Sequence, residues 1–195
     1  MQCHIISIGN ELLIGDTVNT NASWLGQVLT ETGVKVTRIH TIMDDLETMK
    51  KVLQESLAAT DLVITTGGLG PTHDDVTKKA VTELFDCNLV IDDEVLSFIK
   101  KVFKKRNIPF SESNYYQAEV PDCAEILFNT QGTAPGLWFE RDRLSWRYCP
   151  ASLRDEAPYR TIKKCCPKCA LSMVTRSARQ IALYYHGRGR RKYAQ

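Results

Sequence analysis

Asp61-Leu62-Val63-Ile64-Thr65-Thr66-Gly67-Gly68-Leu69-Gly70-Pro71-Thr72-His73-Asp74-Asp75 is the stretch on which the fold turns. Its first half is a continuous apolar, β-branched run, short enough for a strand buried on both faces of a parallel sheet. Its second half is a glycine-rich turn that leads into a helical pattern from about Asp74 to Phe85. In open α/β sheets ligands bind where strands end and helices begin, because the helix N-terminus offers unpaired N–H groups there. Gly67, Gly68 and Gly70 permit positive φ and close backbone approach, Pro71 stiffens the turn, and Thr72 adds a hydroxyl, so the loop suits a phosphate or pyrophosphate. It matches neither the G-x-G-x-x-G fingerprint nor a P-loop, since no Gly-Lys-Ser/Thr follows. Two adjacent carboxylates, Asp74 and Asp75, would repel an anion in that cradle unless a divalent cation such as Mg2+ lay between them. The same pair also reads as a helix cap beside a solvated charge, and His73 reads as a solvated loop residue.

Upstream, His4 to Ile8 predicts a short buried strand ending at Gly9, followed by a polar loop. Trp24, Leu25, Val28 and Leu29 share one face of a helix beginning near Asn19, with Asn21 as its cap and Gly33 as its stop. Val34 to Ile42 alternates as a second strand. Asp44-Asp45-Leu46-Glu47 then opens a helix carrying Leu46, Met49, Leu53 and Leu57. A further helix is expected from Asp93 to Arg106, its paired lysines forming a solvated face rather than a nucleic-acid patch. The alternation predicts an α/β fold with a three-layer, doubly wound, mainly parallel sheet. Asn10-Glu11, Asp16 and Asn19-Thr20-Asn21 follow the first strand and Asp44-Asp45 the second, so several polar groups should converge on the pocket of the glycine loop.

Ile8-Gly9-Asn10-Glu11-Leu12-Leu13-Ile14-Gly15, Val18 to Ala22, Thr66 to Thr77, Asn114 with Gln117-Ala118, and Asn129 with Gly132-Thr133-Ala134-Pro135-Gly136 stand in an order that closely resembles the amino-terminal domain of the competence/damage-inducible CinA family. That domain is similar to the MoaB/MogA molybdopterin-binding fold, and the likeness covers about residues 4–139. The resemblance implies a domain that binds a nucleotide or pterin phosphate, assembles as a homo-oligomer, and carries a Mg2+- or other divalent-metal-dependent pyrophosphatase activity on ADP-ribose-type substrates. It adds Thr77, Asn114, Gln117, Gly132, Thr133, Pro135 and Gly136 to a ligand set of Asn19, Gly67, Gly68, Gly70, Pro71 and Thr72. Asp74 and Asp75 hold the metal, and Glu11 or Asp44 acts as base or outer-shell partner. Complete family members append a nicotinamide-nucleotide amidase domain, which 195 residues do not accommodate. Tyr115 and Tyr116 stand where members often carry a basic residue, replacing a phosphate partner with a ring able to stack on a base.

The chain changes character at Glu140. Residues 1–139 carry 11 basic and 19 acidic side chains, net −8, whereas residues 140–195 carry 14 and 4, net +10. The first part is therefore expected as one domain and the second as an atypical, basic, cysteine-containing tail that folds poorly. The family's Leu-Pro-Gly-Val-Pro loop is missing there. Yet permitted codons for Arg143 to Ser152, read one base early, give Val-Ile-Val-Ala-Leu-Leu-Pro-Gly-Val-Pro. The same shift over Lys164 to Cys169 allows Val-Leu-Pro-Lys-Met, and Asp155 to Arg160 read one base late allows Met-Lys-His-Leu-Ile. A frameshifted tail accounts for all three, the two different shifts requiring more than one base change. The competing readings are half a zinc site at Cys165-Cys166-Pro167-Lys168-Cys169, which lacks a second ligand pair, and a nucleic-acid arm at Arg188-Gly189-Arg190-Arg191-Lys192. The acidic domain argues against a basic-tailed nucleic-acid binder. A non-catalytic molybdopterin- or nucleotide-binding module is the main alternative to an enzyme. Cys3, Cys87 and Cys123 show no framework, and the chain has no membrane-span-length apolar run and no signal-peptide start, so a cytoplasmic location with reduced thiols is expected.

Overall fold

The computed structural model describes residues 1–68, 76–129, 133–141 and 144–149, with the side chains of 112, 113, 141 and 144–149 outside that description. In chain order the elements are β1 (Gln2–Ile8), α1 (Asn10–Leu13), α2 (Thr20–Glu31), β2 (Lys35–Ile42), α3 (Leu46–Ala59), β3 (Leu62–Gly67), α4 (Val76–Phe85), β4 (Leu89–Ile91) and α5 (Asp93–Lys105). A 3-10 helix over Glu112–Ala118 follows, then β5 (Glu119–Pro121), β6 (Glu125–Leu127), β7 (Gly136–Arg141) and β8 (Leu144–Cys149). The main sheet has the order β2-β1-β3-β8-β7-β6 among the described residues, and β4 pairs with β5 in a separate ribbon. β2, β1, β3 and β8 run parallel, while β7 and β6 run antiparallel to their neighbours. The sheet is thus the expected doubly wound, mainly parallel one.

Period-two alternation sorts the buried side chains of β1 and β3 between two layers. Cys3, Ile5, Leu62 and Ile64 pack with Ala22, Leu25, Val28 and Leu29 of α2. Ile6, Ile8 and Val63 face the other way, against Met49, Leu53 and Leu57 of α3 and Ala80 and Val81 of α4. Phe139, 1% exposed, joins this second layer and lies 4.8 Å from the Phe85 ring. Helices on both faces make the three layers.

Several local expectations are corrected. Asn19, not Asn21, caps α2, its Oδ1 accepting from the Ala22 amide at 3.1 Å. A cap must precede the first helical residue, and here that residue is Thr20. The loop after β1 contains the short helix α1. The expected capping-box-like start of α3 holds: Asp45 caps it by accepting from Thr48 N at 2.9 Å, and that bond holds its carboxyl below the usual range. The sheet also runs ten residues past Phe139, because β8 inserts between β3 and β7 with Leu62 opposite Ser145 and Thr66 opposite Cys149. Backbone pairing on both sides fixes that strand, a stabilisation that the loss of apolar periodicity after Glu140 conceals. Residues 150–195 lie outside the described residues. Cys87 and Cys123 come together across the end of the β4–β5 ribbon, although 35 residues separate them in sequence. Burial, followed by the Cys123 thiol, pushes the Cys87 thiol up to about 12.

His4 is buried at 4% exposure on β1, its Nδ1 without a hydrogen-bond partner among the described residues and its ring 5.6 Å from that of His40 on β2. Burial first, then His40 and Arg38, depress its pKa below 6.5. Below pH 6.5 the unfolded chain takes up a proton that the folded chain resists. This contribution to stability is therefore whole above that pH and lost as pH falls. Urea midpoints at about pH 7.5 and about pH 5.5 should show the drop, and His4→Gln should flatten it.

Candidate functional site at the carboxyl edge of the sheet

The parallel strands end together. Ile42 pairs with Ile8, Ile8 with Gly67, Thr66 with Cys149, and Tyr148 with Leu137, one residue inside the Gly136 start of β7. The loops leaving β1, β2 and β3 and the turn entering β7 therefore share one edge of the sheet. The chain reverses there, β1 connecting outward to β2 while β3 lies on its other side, which makes it the topological switch point where ligands of this fold class bind.

Gly67 and Gly68 form the centre of that edge with φ of 92° and 75°. A Cβ on Gly67 would fall on the Ile8 carbonyl oxygen, and one on Gly68 would lie 2.5 Å from Thr77 Oγ1 and 2.9 Å from Ile8 Cγ2. Glycine is therefore required by geometry at both positions. Thr77 is buried in the first turn of α4, and its hydroxyl donates to the Gly68 carbonyl at 2.7 Å, fixing the start of the loop. Leu69 to Asp75, including the expected Gly70, Pro71, Thr72, Asp74 and Asp75, lies outside the described residues, as does Gly132.

Glu11, in the first turn of α1, and Asp44, two residues past β2, are brought together from different strand ends. The Gly9 amide donates to the Ile42 carbonyl at 3.1 Å and ties the two loops. Both residues are exposed by side-chain area, yet packing around the Asp44 carboxyl raises its pKa and the Glu11 charge raises it further. Two carboxylates near enough to interact electrostatically at one edge of the sheet are hard oxygen donors, the kind of ligand that divalent cations such as Mg2+ take.

Asn19 lies at the start of α2. Its Oδ1 accepts from Ala22 N and, at 3.3 Å, from the Ser7 hydroxyl, so the side chain serves to position α2 against β1. Asn21 Nδ2 donates to Thr66 Oγ1 at 3.2 Å. Ser7 and Thr66 were not among the expected site residues. Each is a hydroxyl residue near the carboxyl end of a strand rich in apolar residues, a signal the sequence carries, and each is buried.

The 3-10 helix brings in the remaining motif. Lys78 Nζ of α4 donates to the Tyr116 carbonyl at 2.9 Å, linking this helix to the first turn of α4. Asn114 Nδ2 donates to Ser111 Oγ at 2.9 Å, and Gln117 Nε2 donates to Asn114 Oδ1 at 3.2 Å. Gln117 Oε1 is buried without a partner among the described residues. At the mouth of β7, Asn129 Nδ2 donates to the Ala134 carbonyl at 3.1 Å and shapes the turn holding Thr133, with Pro135 and Gly136 buried beneath it.

The family described as "Probable molybdopterin binding domain" matches residues 4–152, through this edge and the strand beyond it. The chain belongs to that family. It is also CinA-like: a crystal structure of CinA from Thermoplasma acidophilum is 33% identical, with a TM-score of 0.73, covering 84% of this chain and 96% of that one. CinA-like proteins of Dictyoglomus thermophilum and Chloroherpeton thalassium are 43% and 44% identical over 140 and 137 residues. Those stretches cover 72% and 70% of this chain but 34% and 33% of the relatives, so it spans about a third of their length. The MoaB structure from Thermus thermophilus, 17% identical with a TM-score of 0.51 over 92% of this chain and 95% of that one, shares the fold. Among the described residues no helix is long and apolar enough to cross a membrane.

Proposed function

We propose that this domain binds a nucleoside diphosphate of the ADP-ribose type and hydrolyses its pyrophosphate with a divalent cation, water yielding AMP and ribose 5-phosphate. The observation that carries the reading is the meeting of Glu11 and Asp44 at the edge where Gly67 and Gly68 open the phosphate loop. Asp74 and Asp75 would hold Mg2+, with Glu11 or Asp44 in its outer shell, and the cation supplies charge neutralisation and a more acidic water. Gly67, Gly68, Gly70 and Thr72 would supply N–H and O–H donors to the pyrophosphate oxygens. Asp44, whose carboxyl is raised above its ordinary value by the packing around it and by the Glu11 charge, is the residue assigned as base. Gln117 Oε1 offers an acceptor for a base or ribose hydroxyl.

We also propose that residues after Arg143 are read from a shifted frame and that the missing Leu-Pro-Gly-Val-Pro loop leaves this chain with reduced turnover, because both phosphate and metal are then positioned poorly. Incubation with ADP-ribose and Mg2+ should release AMP slowly, and Asp74→Ala should lower the rate by about 100-fold or more. Binding without AMP would favour the non-catalytic module that the family's description suggests. AMP release indifferent to Asp74→Ala would sink the metal assignment.

A further inference from the structure

We propose a second metal site, distinct from the sheet edge, in which Cys87, Cys123 and Asp122 bind a borderline-soft divalent cation of the zinc class. The β4–β5 ribbon builds it. Leu89 pairs with Pro121, and one residue further out Asn88 faces Asp122: Asp122 N donates to the Asn88 carbonyl at 2.9 Å, and Asn88 N donates to Asp122 Oδ1 at 3.1 Å. A second step outward places Cys87 beside Cys123. The turn that presents Asp122 and Cys123 is closed by Ala124 N donating to the Pro121 carbonyl at 3.1 Å, and Cys87 is anchored by its own amide donating to Thr82 O at 3.1 Å.

The two Sγ atoms and one carboxylate oxygen of Asp122 lie within 4.8 Å of one another. A tetrahedral zinc ion with bonds of about 2.3 Å to sulfur and about 2.1 Å to oxygen needs donor separations of about 3.5–3.8 Å. Small side-chain rotations close the difference. Two sulfurs and one oxygen select zinc over Mg2+ or Ca2+, which take oxygen ligands. Asn88 supplies the outer shell, its Nδ2 lying 3.4 Å from Asp122 Oδ2 and its amide holding Oδ1, so the carboxylate is oriented before any cation arrives. Cys87 is half-buried against the core, whereas Cys123 and Asp122 are exposed, which leaves a solvent-facing fourth position for water. Binding exchanges two thiol protons for one Zn2+, and no electron moves.

The test is peptide-resolved alkylation of the reduced full chain, with and without stoichiometric Zn2+, which reads these thiols separately from Cys149, Cys165, Cys166 and Cys169. Zn2+ should slow labelling of both Cys87 and Cys123 by about tenfold or more, and Asp122→Asn should weaken that protection by about tenfold. Cys123→Ser should abolish protection at Cys87 while leaving the far-ultraviolet dichroism unchanged. Labelling indifferent to Zn2+, or protection of Cys87 that survives Cys123→Ser, would overturn the site. So would a Cys87–Cys123 disulfide that re-forms after reduction and excludes the cation.

Discussion

Gly67→Ala should lower the stability of the chain by about 2–5 kcal/mol, because the left-handed backbone costs an alanine about 1–2 kcal/mol and forcing its methyl into packed structure costs about 1–3 more. The φ of 92° sets the first term, and the Ile8 carbonyl oxygen, which occupies the place of the new Cβ, sets the second. That oxygen belongs to a strand paired on both sides and cannot retreat without opening the β1–β3 ladder at Ile8 and Gly67. For a chain of this size the melting temperature should fall by about 5 °C or more. Gly26→Ala is the internal control. Gly26 lies inside α2, and nothing comes within 4 Å of an added Cβ, so the alanine should be neutral or stabilising by up to about 1 kcal/mol. Equal melting temperatures for the two variants would show that the glycine turn is not strained in the way described.

Rereading the codons from Arg143 one base early should raise the melting temperature by about 6 °C or more. β8 lies between β3 and β7, the place in the sheet where a continuous apolar strand is called for. The present sequence supplies Leu-Ser-Trp-Arg-Tyr-Cys over Leu144–Cys149, whereas the shifted frame supplies Val-Ile-Val-Ala-Leu-Leu from the same region. Val, Ile and Leu positions in the strand rise from one to five, and burying even two of the added side chains contributes about 3–6 kcal/mol. The same change restores the Leu-Pro-Gly-Val-Pro loop directly after the strand, so AMP release should rise with stability. A restored chain that melts no higher and turns over no faster would count against both the frame and its effect on the site.

The fold was legible because its signals are periodic. Ile5, Ile6, Val63 and Ile64 mark strands buried on both faces, and Met49, Leu53 and Leu57 recur at helical spacing. β4, β5 and β6 leave no such mark, because strands of three residues are shorter than any pattern can establish, and their place is decided by partners distant in sequence. The glycine turn and the acidic strand ends could be read directly, since positive φ and clustered carboxylates leave compositional traces. The capping role of Asn19, the clamp from Thr77 to Gly68, and the meeting of Cys87 with Cys123 could not. Each depends on a tertiary distance that spacing along the chain does not encode.

On the proposed function, a cation joins this acidic edge to a pyrophosphate. Calorimetric titration of ADP-ribose into the chain, with and without Mg2+, tests it most directly. Binding should depend on Mg2+ and weaken by about tenfold or more in Asp74→Ala, with a smaller loss in Glu11→Gln. Binding of equal strength without the cation, and unchanged in Asp74→Ala, would contradict it.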